Sequence, residues 1–481
     1  MATISSPGIG SGLDVKSIVS QLVELERQPL TRLQVEAASV QARISTYGEI
    51  KSLVSALSTA AGNLNSLTTW NSVKATSSRP ESVTATATGG TAANSFSVRV
   101  DNIAKQQSFA SASISGGGVL GAGTLTIQPG SFDTAVASPF PFTGAGAPIT
   151  ITVSATDTLA DVASKINDLK GAVQATILND GTGERLLLRS RDTGVAAGFE
   201  VSVADSDANL ADTSGLSRLL SNGLGNSSLV TQYAEDARIT VNNSISVTSA
   251  SNTFTNVIAG VTLNIPSSAT TGPTSVAEVR VEPNQESIRT AINGFVDAFN
   301  KLNSFIAEAT KFDSGTRTAG LLQADSFAIG IQRSIRGIVQ SSTAGSTFAR
   351  LSEVGVSIQL DGSLSVDSSK LNAAIAQPDE LRNLFRADNQ NDLTNGVGLK
   401  IKKFADGLLN ADGLLRVRED SLKRSLERNS EEQLRVNEKA ARAEAALNRR
   451  YSALDAQLAS LTALNNYVAQ QVTMWNNQKR E

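Results

Sequence analysis

A chain of 481 residues with no histidine and no cysteine excludes Ser-His-Asp and Cys-His nucleophiles, imidazole proton shuttles, H-E-x-x-H metal sites and disulfides. Its 42 basic and 45 acidic residues leave a net charge of −3, so no bulk attraction to nucleic acid or anionic lipid is expected. The length holds about three domains with separate cores, and no apolar run reaches membrane-spanning length.

The amino end, Met1-Ala2-Thr3-Ile4-Ser5-Ser6-Pro7, has neither the basic region nor the apolar core of a secretory leader. Pro7, Gly8, Gly10 and Gly12 form a flexible lead. Gly8-Ile9-Gly10-Ser11-Gly12 resembles a phosphate cradle, yet it lacks the preceding strand and the Gly-Lys-Ser/Thr ending. Asp14 is placed to cap a helix that buries Val15, Ile18, Val19, Leu22 and Leu25. Pro29 should interrupt it. Val40, Ile44, Tyr47, Ile50, Val54, Leu57, Ala61 and Leu64 then resume helical spacing to about Leu67.

From about Ser72 the composition turns to threonine, serine, glycine, alanine and valine. Val83, Ala85 and Ala87 alternate with threonines, and Phe96, Val98 and Val100 with polar residues, as half-buried strands do. Gly116-Gly117-Gly118 and the glycines and prolines from Gly130 to Pro148 mark loops. Ile149 to Val153 reads as a strand, and Leu159, Val162, Ile166 and Leu169 line one face of a helix ending at Gly171. Val173 to Leu178 and Leu186 to Arg189 form a hairpin about Asn179-Asp180-Gly181. Asp205-Ser206-Asp207-Ala208-Asn209 resembles the start of a calcium loop, but Leu210 and Leu216 stand where glycine and a bidentate glutamate belong. Ile239 and Val241 face Ile245 and Val247 across Asn242-Asn243, and Val257 to Ile265 reads as a further strand. Helical spacing returns at Ile288, Ile292, Phe295, Val296 and Phe299.

After Gly413 about seventy residues contain neither glycine nor proline, enough for a rod on the order of 100 Å at ~1.5 Å per residue. Leu447, Tyr451, Leu454, Leu458, Leu461, Val468, Val472 and Trp475 follow a/d steps of a heptad, with Asn465 in the one polar slot. Upstream, Leu422, Leu426, Val436, Ala440, Ala443 and Leu447 lead into two successive steps of four, a stutter that locally unwinds a supercoil. The two halves of the tail should therefore pack differently. Leu464 and Tyr467 widen the apolar face beyond a two-stranded seam, so packing against several helices at once is expected. Arg416, Arg418, Lys423, Arg424, Arg449 and Arg450 alternate with acids and read as a solvated face.

The expected fold is multidomain α+β. Paired amino- and carboxy-terminal helices form a coiled-coil or helical-bundle leg, and two nested β-rich domains are inserted between them. The divisions are 1–40 with 451–481 for the terminal helices and 41–71 with 284–450 for a helical bundle. An inner β-rich domain takes 72–105 with 235–283, and an outer one takes 106–234 with a repeat at about 149–203. No catalytic, metal or cofactor constellation is expected. The contact residues expected on the terminal helices are Ile18, Val19, Leu22, Leu25, Leu447, Tyr451, Leu454, Leu458, Leu461, Asn465, Val468, Val472 and Trp475.

Ser11-Gly12-Leu13-Asp14, Ile18-Val19 and Glu26-Arg27-Gln28-Pro29-Leu30 resemble the amino-terminal signature of the bacterial flagellar filament-capping protein family. Asn102 to Gln107 resembles the segment entering that family's β-domains. The unit from Thr158 to Gly194 is similar to a repeat shared by flagellins and hook-associated proteins. Leu351 to Val356, Asp361 to Asp367, Leu384-Phe385, Gly396-Val397-Gly398 and Tyr451 to Asp455 resemble its carboxy-terminal half. Val23 stands where the family often carries methionine. The resemblance implies export without a cleaved leader through the flagellar type III channel, and an extracellular, ring-like homo-oligomer at the filament tip. It implies contacts with flagellin and hook-associated proteins, and an export chaperone that shields the carboxy-terminal tail. Some family members bind host mucin. Another axial protein (a hook–filament junction protein or flagellin itself) and a glycan-binding surface adhesin fit part of the same residues.

Overall fold

The structure, a computed structural model, describes residues 14–115, 118–210, 215–221 and 229–478. The glycine lead, the Ser11-Gly12-Leu13 part of the signature and Gly116-Gly117 lie outside the described residues. Two compact units emerge, Met1–Trp70 with Gln285–Glu481, and Asn71–Asn284. Among the described residues the helices in chain order are α1 (Val15–Asn65), α2 (Leu67–Trp70), α3 (Leu159–Asp168), α4 (Gln285–Thr310), α5 (Ser326–Gln340), α6 (Ser368–Ile375), α7 (Pro378–Arg386), α8 (Val397–Leu409) and α9 (Leu414–Gln478).

The first unit is helical. Asp14 caps α1 by accepting from the Ser17 N–H at 3.0 Å. Contrary to the expectation from sequence, α1 runs unbroken through Pro29. Proline there withholds one N–H from the Leu25 carbonyl, on a side of the helix where both Leu25 and Pro29 are exposed, and α9 packs along the helix on both sides of it. The stripe Tyr47, Ile50, Val54, Leu57, Ala61 and Leu64 recurs at three or four residues and is buried against α4, α5 and α8. From α4 it meets Ile292, Phe295, Phe299 and Leu302. Trp70 closes this core, donating through Nε1 to the Leu64 carbonyl at 2.7 Å, so its one polar atom is satisfied where it is buried.

The second unit is two β-cores in one continuous segment. A five-stranded antiparallel sheet runs in the order Val73–Ser77, Val276–Pro283, Asn94–Asn102, Ala237–Val241, Ile245–Ser249. It shares a core with a three-stranded sheet of Thr253–Ile258, Val261–Asn264 and Thr84–Ala87. The single strand expected from Val257 to Ile265 is instead the end of one strand, a turn and a second strand. Gly260 makes the turn at φ +76°, a conformation that glycine adopts without a Cβ penalty.

The outer core is nested within this one. Lys105 and Glu235 exchange backbone hydrogen bonds at 2.9 and 3.2 Å, so the outgoing and returning chains run side by side. Beyond them two four-stranded sheets enclose Leu125, Ile127, Leu186, Leu188, Phe199 and Val201, with α3 packed on the same core. Helix α3 starts at a reciprocal capping box between Thr158 and Asp161. The hairpin Val173–Asn179 with Glu184–Ser190 forms as read, with Gly181 at φ +84° in its turn. The fold is therefore α+β, with paired terminal helices and two nested β-rich domains inserted between them.

Candidate docking ridge on the terminal helices

Helices α1 and α9 lie antiparallel. Lys439 Nζ meets Glu26 Oε2 at 2.8 Å, and Lys51 Nζ reaches Glu419 Oε2 at 3.8 Å, so the partner number falls on α9 as it rises on α1. At the far end of the pair Val15, Val19 and Val23, one helical turn apart, close on Ala440, and Leu447 and Tyr451 pack on that cluster. Ala440 has no exposed surface, and its small side chain lets the two backbones approach.

The opposite end of α9 is anchored by charge. Arg418 Nη2 donates to Asp325 Oδ2 at 2.7 Å, and its guanidinium lies 5.8 Å from the centre of the Tyr47 ring. Asp325 also caps α5, accepting from the N–H groups of Phe327 and Ala328 at 3.0 and 3.2 Å. Burial opposes ionisation of Asp325, but Tyr47, Arg418 and the Ala328 N–H outweigh it and hold its pKa below the usual value. Burial and the Asp325 carboxylate push the Tyr47 phenol up to about 12.

Past Tyr451 the helix continues beyond the described start of α1. From Leu454 to Gln478 it runs for roughly 35 Å at ~1.5 Å per residue. Its apolar residues are largely exposed among the described residues: Leu461, Tyr467 and Trp475 are 59 %, 59 % and 69 % exposed. Leu454, Asn465, Val468 and Val472 are exposed as well, and Leu458 is half-buried. The exposed apolar residues follow one another along the helix instead of being scattered singly.

The expected contact residues thus fall into two groups. Val19, Leu447 and Tyr451 are brought together inside the chain, with Ile18 half-buried beside them, whereas Leu22, Leu25 and the residues from Leu454 onward mostly face solvent. Val15, Val23 and Ala440, which complete the internal cluster, were not among the contact residues. Their signal was the uniform step of four from Val15 to Val23. Among the described residues no group of three acidic, histidine or cysteine side chains is placed to hold a metal ion, and no helix is long and apolar enough to cross a membrane. Asp205, in the calcium-loop look-alike, directs Oδ2 at the Leu216 and Ser217 N–H groups at 2.6 and 3.3 Å.

Family models agree with this architecture. Residues 11–107 match the flagellar hook-associated protein 2 N-terminus and residues 234–463 its C-terminus, which together span more than half of the chain. The chain belongs to the flagellar hook-associated protein 2 family. Residues 140–192 match the flagellin hook IN motif within the outer β-core. The chain is 27 % identical over 490 residues to flagellar hook-associated protein 2 of Escherichia coli strain K12, covering 100 % of both. It is 28 % identical over 492 residues to the A-type flagellar hook-associated protein 2 of Pseudomonas aeruginosa, covering 96 % of both. It is also similar to the crystal structure of the D1-D2-D3 domains of the flagellar cap protein FliD from Escherichia coli. That likeness has a TM-score of 0.57 at 26 % identity and covers 79 % of this chain and 99 % of that one. The resemblance drawn from the Ser11–Leu30 signature and the Leu351–Asp367 block is borne out.

Proposed function

We propose that the chain is the structural cap at the tip of the bacterial flagellar filament, retaining exported flagellin and promoting its ordered insertion as the filament elongates. Membership in the hook-associated protein 2 family carries this reading, and the uncovered apolar ridge beyond Tyr451 gives it a physical basis. A lid on a growing tube must grip subunits without bonding to them permanently. A long helix with an apolar stripe does so by burial that is reversed when the lid moves. No covalent chemistry is required.

In this reading the terminal helices, 1–40 and 451–481, are legs. The bundle of 41–71 and 284–450 fixes their root, and the inner and outer β-domains close the tip. The legs bury Ile18, Leu22, Leu25 and the ridge from Leu454 to Trp475 against flagellin, hook-associated proteins and neighbouring copies. The same ridge is the segment that an export chaperone covers before passage, unfolded, through the type III channel to the extracellular tip. The test is a chain truncated before Tyr451. It should be exported yet leave cells that shed flagellin monomer into the medium and build no filament; filaments of normal length on that strain refute the proposal.

A further inference from the structure

A solvent-facing leucine and a lysine-lined hollow lie on opposite sides of α5. The turn joining the strands Val356–Ile358 and Leu364–Val366 points Leu360 fully into solvent. A leucine at a loop tip is usually mobile surface; this one is braced. The Gln359 N–H donates to the Ser363 carbonyl at 2.7 Å, and the Gly362 N–H to the Gln359 carbonyl at 2.9 Å. Arg336 of α5 donates through Nη2 to the Asp361 carbonyl at 2.9 Å and through Nε to buried Asn303 at 2.8 Å. Its guanidinium occupies the place a Cβ on Gly362 would take, and Gly362 sits at φ +82°, so glycine is required there. Asn300 holds both backbone groups of Leu364, at 2.6 and 2.8 Å. Asp361 Oδ1 accepts from Ser363 N and Oγ, which fixes its carboxylate beside the leucine.

Ile338 is two residues along α5 from Arg336, about 200° round the helix at 3.6 residues per turn. With Phe404, Lys400 and Lys403 it lines an open hollow of ≈ 340 Å³ bordered by Asp392. Lys400 is only 7 % exposed, and its Nζ donates to Ser341 Oγ at 2.8 Å and to the Ser342 carbonyl at 2.9 Å. An ammonium carries three protons, so one donor remains. Burial lowers the Lys400 pKa, and no carboxylate offsets that cost. Lys403 pairs with Asp392 at 2.9 Å on the exposed rim.

We propose that Leu360 and Asp361 of one copy dock into the Ile338–Phe404 hollow of a second copy, with the leucine on the apolar wall and the carboxylate toward Lys400 and Lys403. The contact rests on the reading of the chain as a self-assembling cap. An acid flanks the projecting leucine. In the recess Lys403 is already paired with Asp392, whereas Lys400 keeps one ammonium donor and has no carboxylate of its own, so the surfaces are complementary in charge at Lys400. Because projection and recess lie on different sides of one helix, the contact is head-to-tail. It repeats from copy to copy instead of stopping at two, and gives a ring where the rotation between copies closes. A two-fold contact through the same surfaces would need projection and recess on one face of the subunit, and a two-fold axis at the hairpin would set one Leu360 against the other.

The absence of native cysteine makes disulfide trapping unambiguous. Full-length chains carrying Leu360→Cys or Lys403→Cys, both at exposed positions, are oxidised separately and as an equimolar mixture. The mixture should give a covalent dimer that neither variant gives alone, and a chain with both changes should give a ladder. In sedimentation, Leu360→Ala should weaken self-association roughly tenfold, the loss expected for one buried leucine. If oligomers form with unchanged affinity in Leu360→Ala and the mixture gives no dimer, this contact is refuted and self-assembly stands. Self-linking of Leu360→Cys refutes it in favour of a two-fold contact. A chain that stays monomeric at high concentration overturns both the contact and the cap reading beneath it.

Discussion

Leu422 and Leu461 sit on one uninterrupted helix, both on apolar steps, yet one is 9 % exposed and the other 59 %. Upstream, α9 lies against α1 and α8, and Leu415, Leu422, Asn429 and Ala440 are buried. Downstream, among the described residues, the same spacing is largely exposed. Helical periodicity states which face will leave water; it does not state what covers it. The upstream half is stabilised by its own subunit, and in the proposed cap it serves as a root while the downstream half keeps its burial energy for assembly. The stutter near Ala443–Tyr451 falls where one role gives way to the other.

The comparison breaks most visibly at Ala440. Replacing it with aspartate puts a carboxylate among Val15, Val19 and Val23, at a cost of about 3 kcal/mol or more for an unpaired buried charge. The amino-terminal turns of α1 should detach before that cost is met in full. Amide exchange at residues 15–27 should then accelerate at least about tenfold while protection around Tyr47 to Leu64 is kept. Loss of protection across the whole bundle would mean that the root and the terminal pair form one cooperative unit.

Next in size is Leu422→Ala, expected to cost about 2–3 kcal/mol, the lower part of the range for a buried leucine because its site is slightly open. Denaturant unfolding of the helical unit measures it. Asp325→Ala should cost about 1–2 kcal/mol, mostly as a lost helix cap, since Arg418 is 42 % exposed and its ion pair is screened. This contribution carries a pH signature. The folded carboxyl lies below its unfolded value of ~3.9, so its stabilisation is complete above that pH and is lost as pH falls through the folded pKa. The stability gap between the natural chain and Asp325→Ala should be flat above about pH 5 and narrow in acid. A gap that widens in acid would reverse the sign assigned to Asp325.

Much of this was legible in the residues. Steps of three and four marked α9 and the two segments that α1 joins, and Asn179-Asp180-Gly181 gave its hairpin because a turn needs residues that tolerate positive φ. What escaped depended on tertiary choice. Pro29 reads as a break from local chemistry alone, but a helix flanked by its α9 partner tolerates the loss of one exposed bond. The run from Val257 to Ile265 is apolar but for Thr262 and Asn264, and only Gly260 hints that it folds back. The amino-terminal helix carries two apolar stripes, Val15-Val19-Val23 and Ile18-Leu22-Leu25. Which one turns inward is set by where α9 lies, and nothing local decides that. The short helices α5 to α8 were not separately legible, because their amphipathic faces are brief and α5 carries Gly330 and Gly337.

The smallest effect on the isolated chain is the most discriminating. Leu461→Ala removes a side chain that is 59 % exposed, so it should change the unfolding free energy of the monomer by less than about 0.5 kcal/mol. Alanine is also the better helix former, so even that small change need not be a loss. If the ridge is an assembly surface, the same substitution forfeits a leucine that becomes dry only in the complex, worth about 1.5–3 kcal/mol per contact, and a ring multiplies it by the number of copies. Cells carrying Leu461→Ala should therefore leak flagellin and swim poorly while the purified protein melts as the natural one does. A variant that melts normally and builds normal filaments would mean that this stretch of α9 is a solvated extension, and the contrast with Leu422 would then be one of position alone.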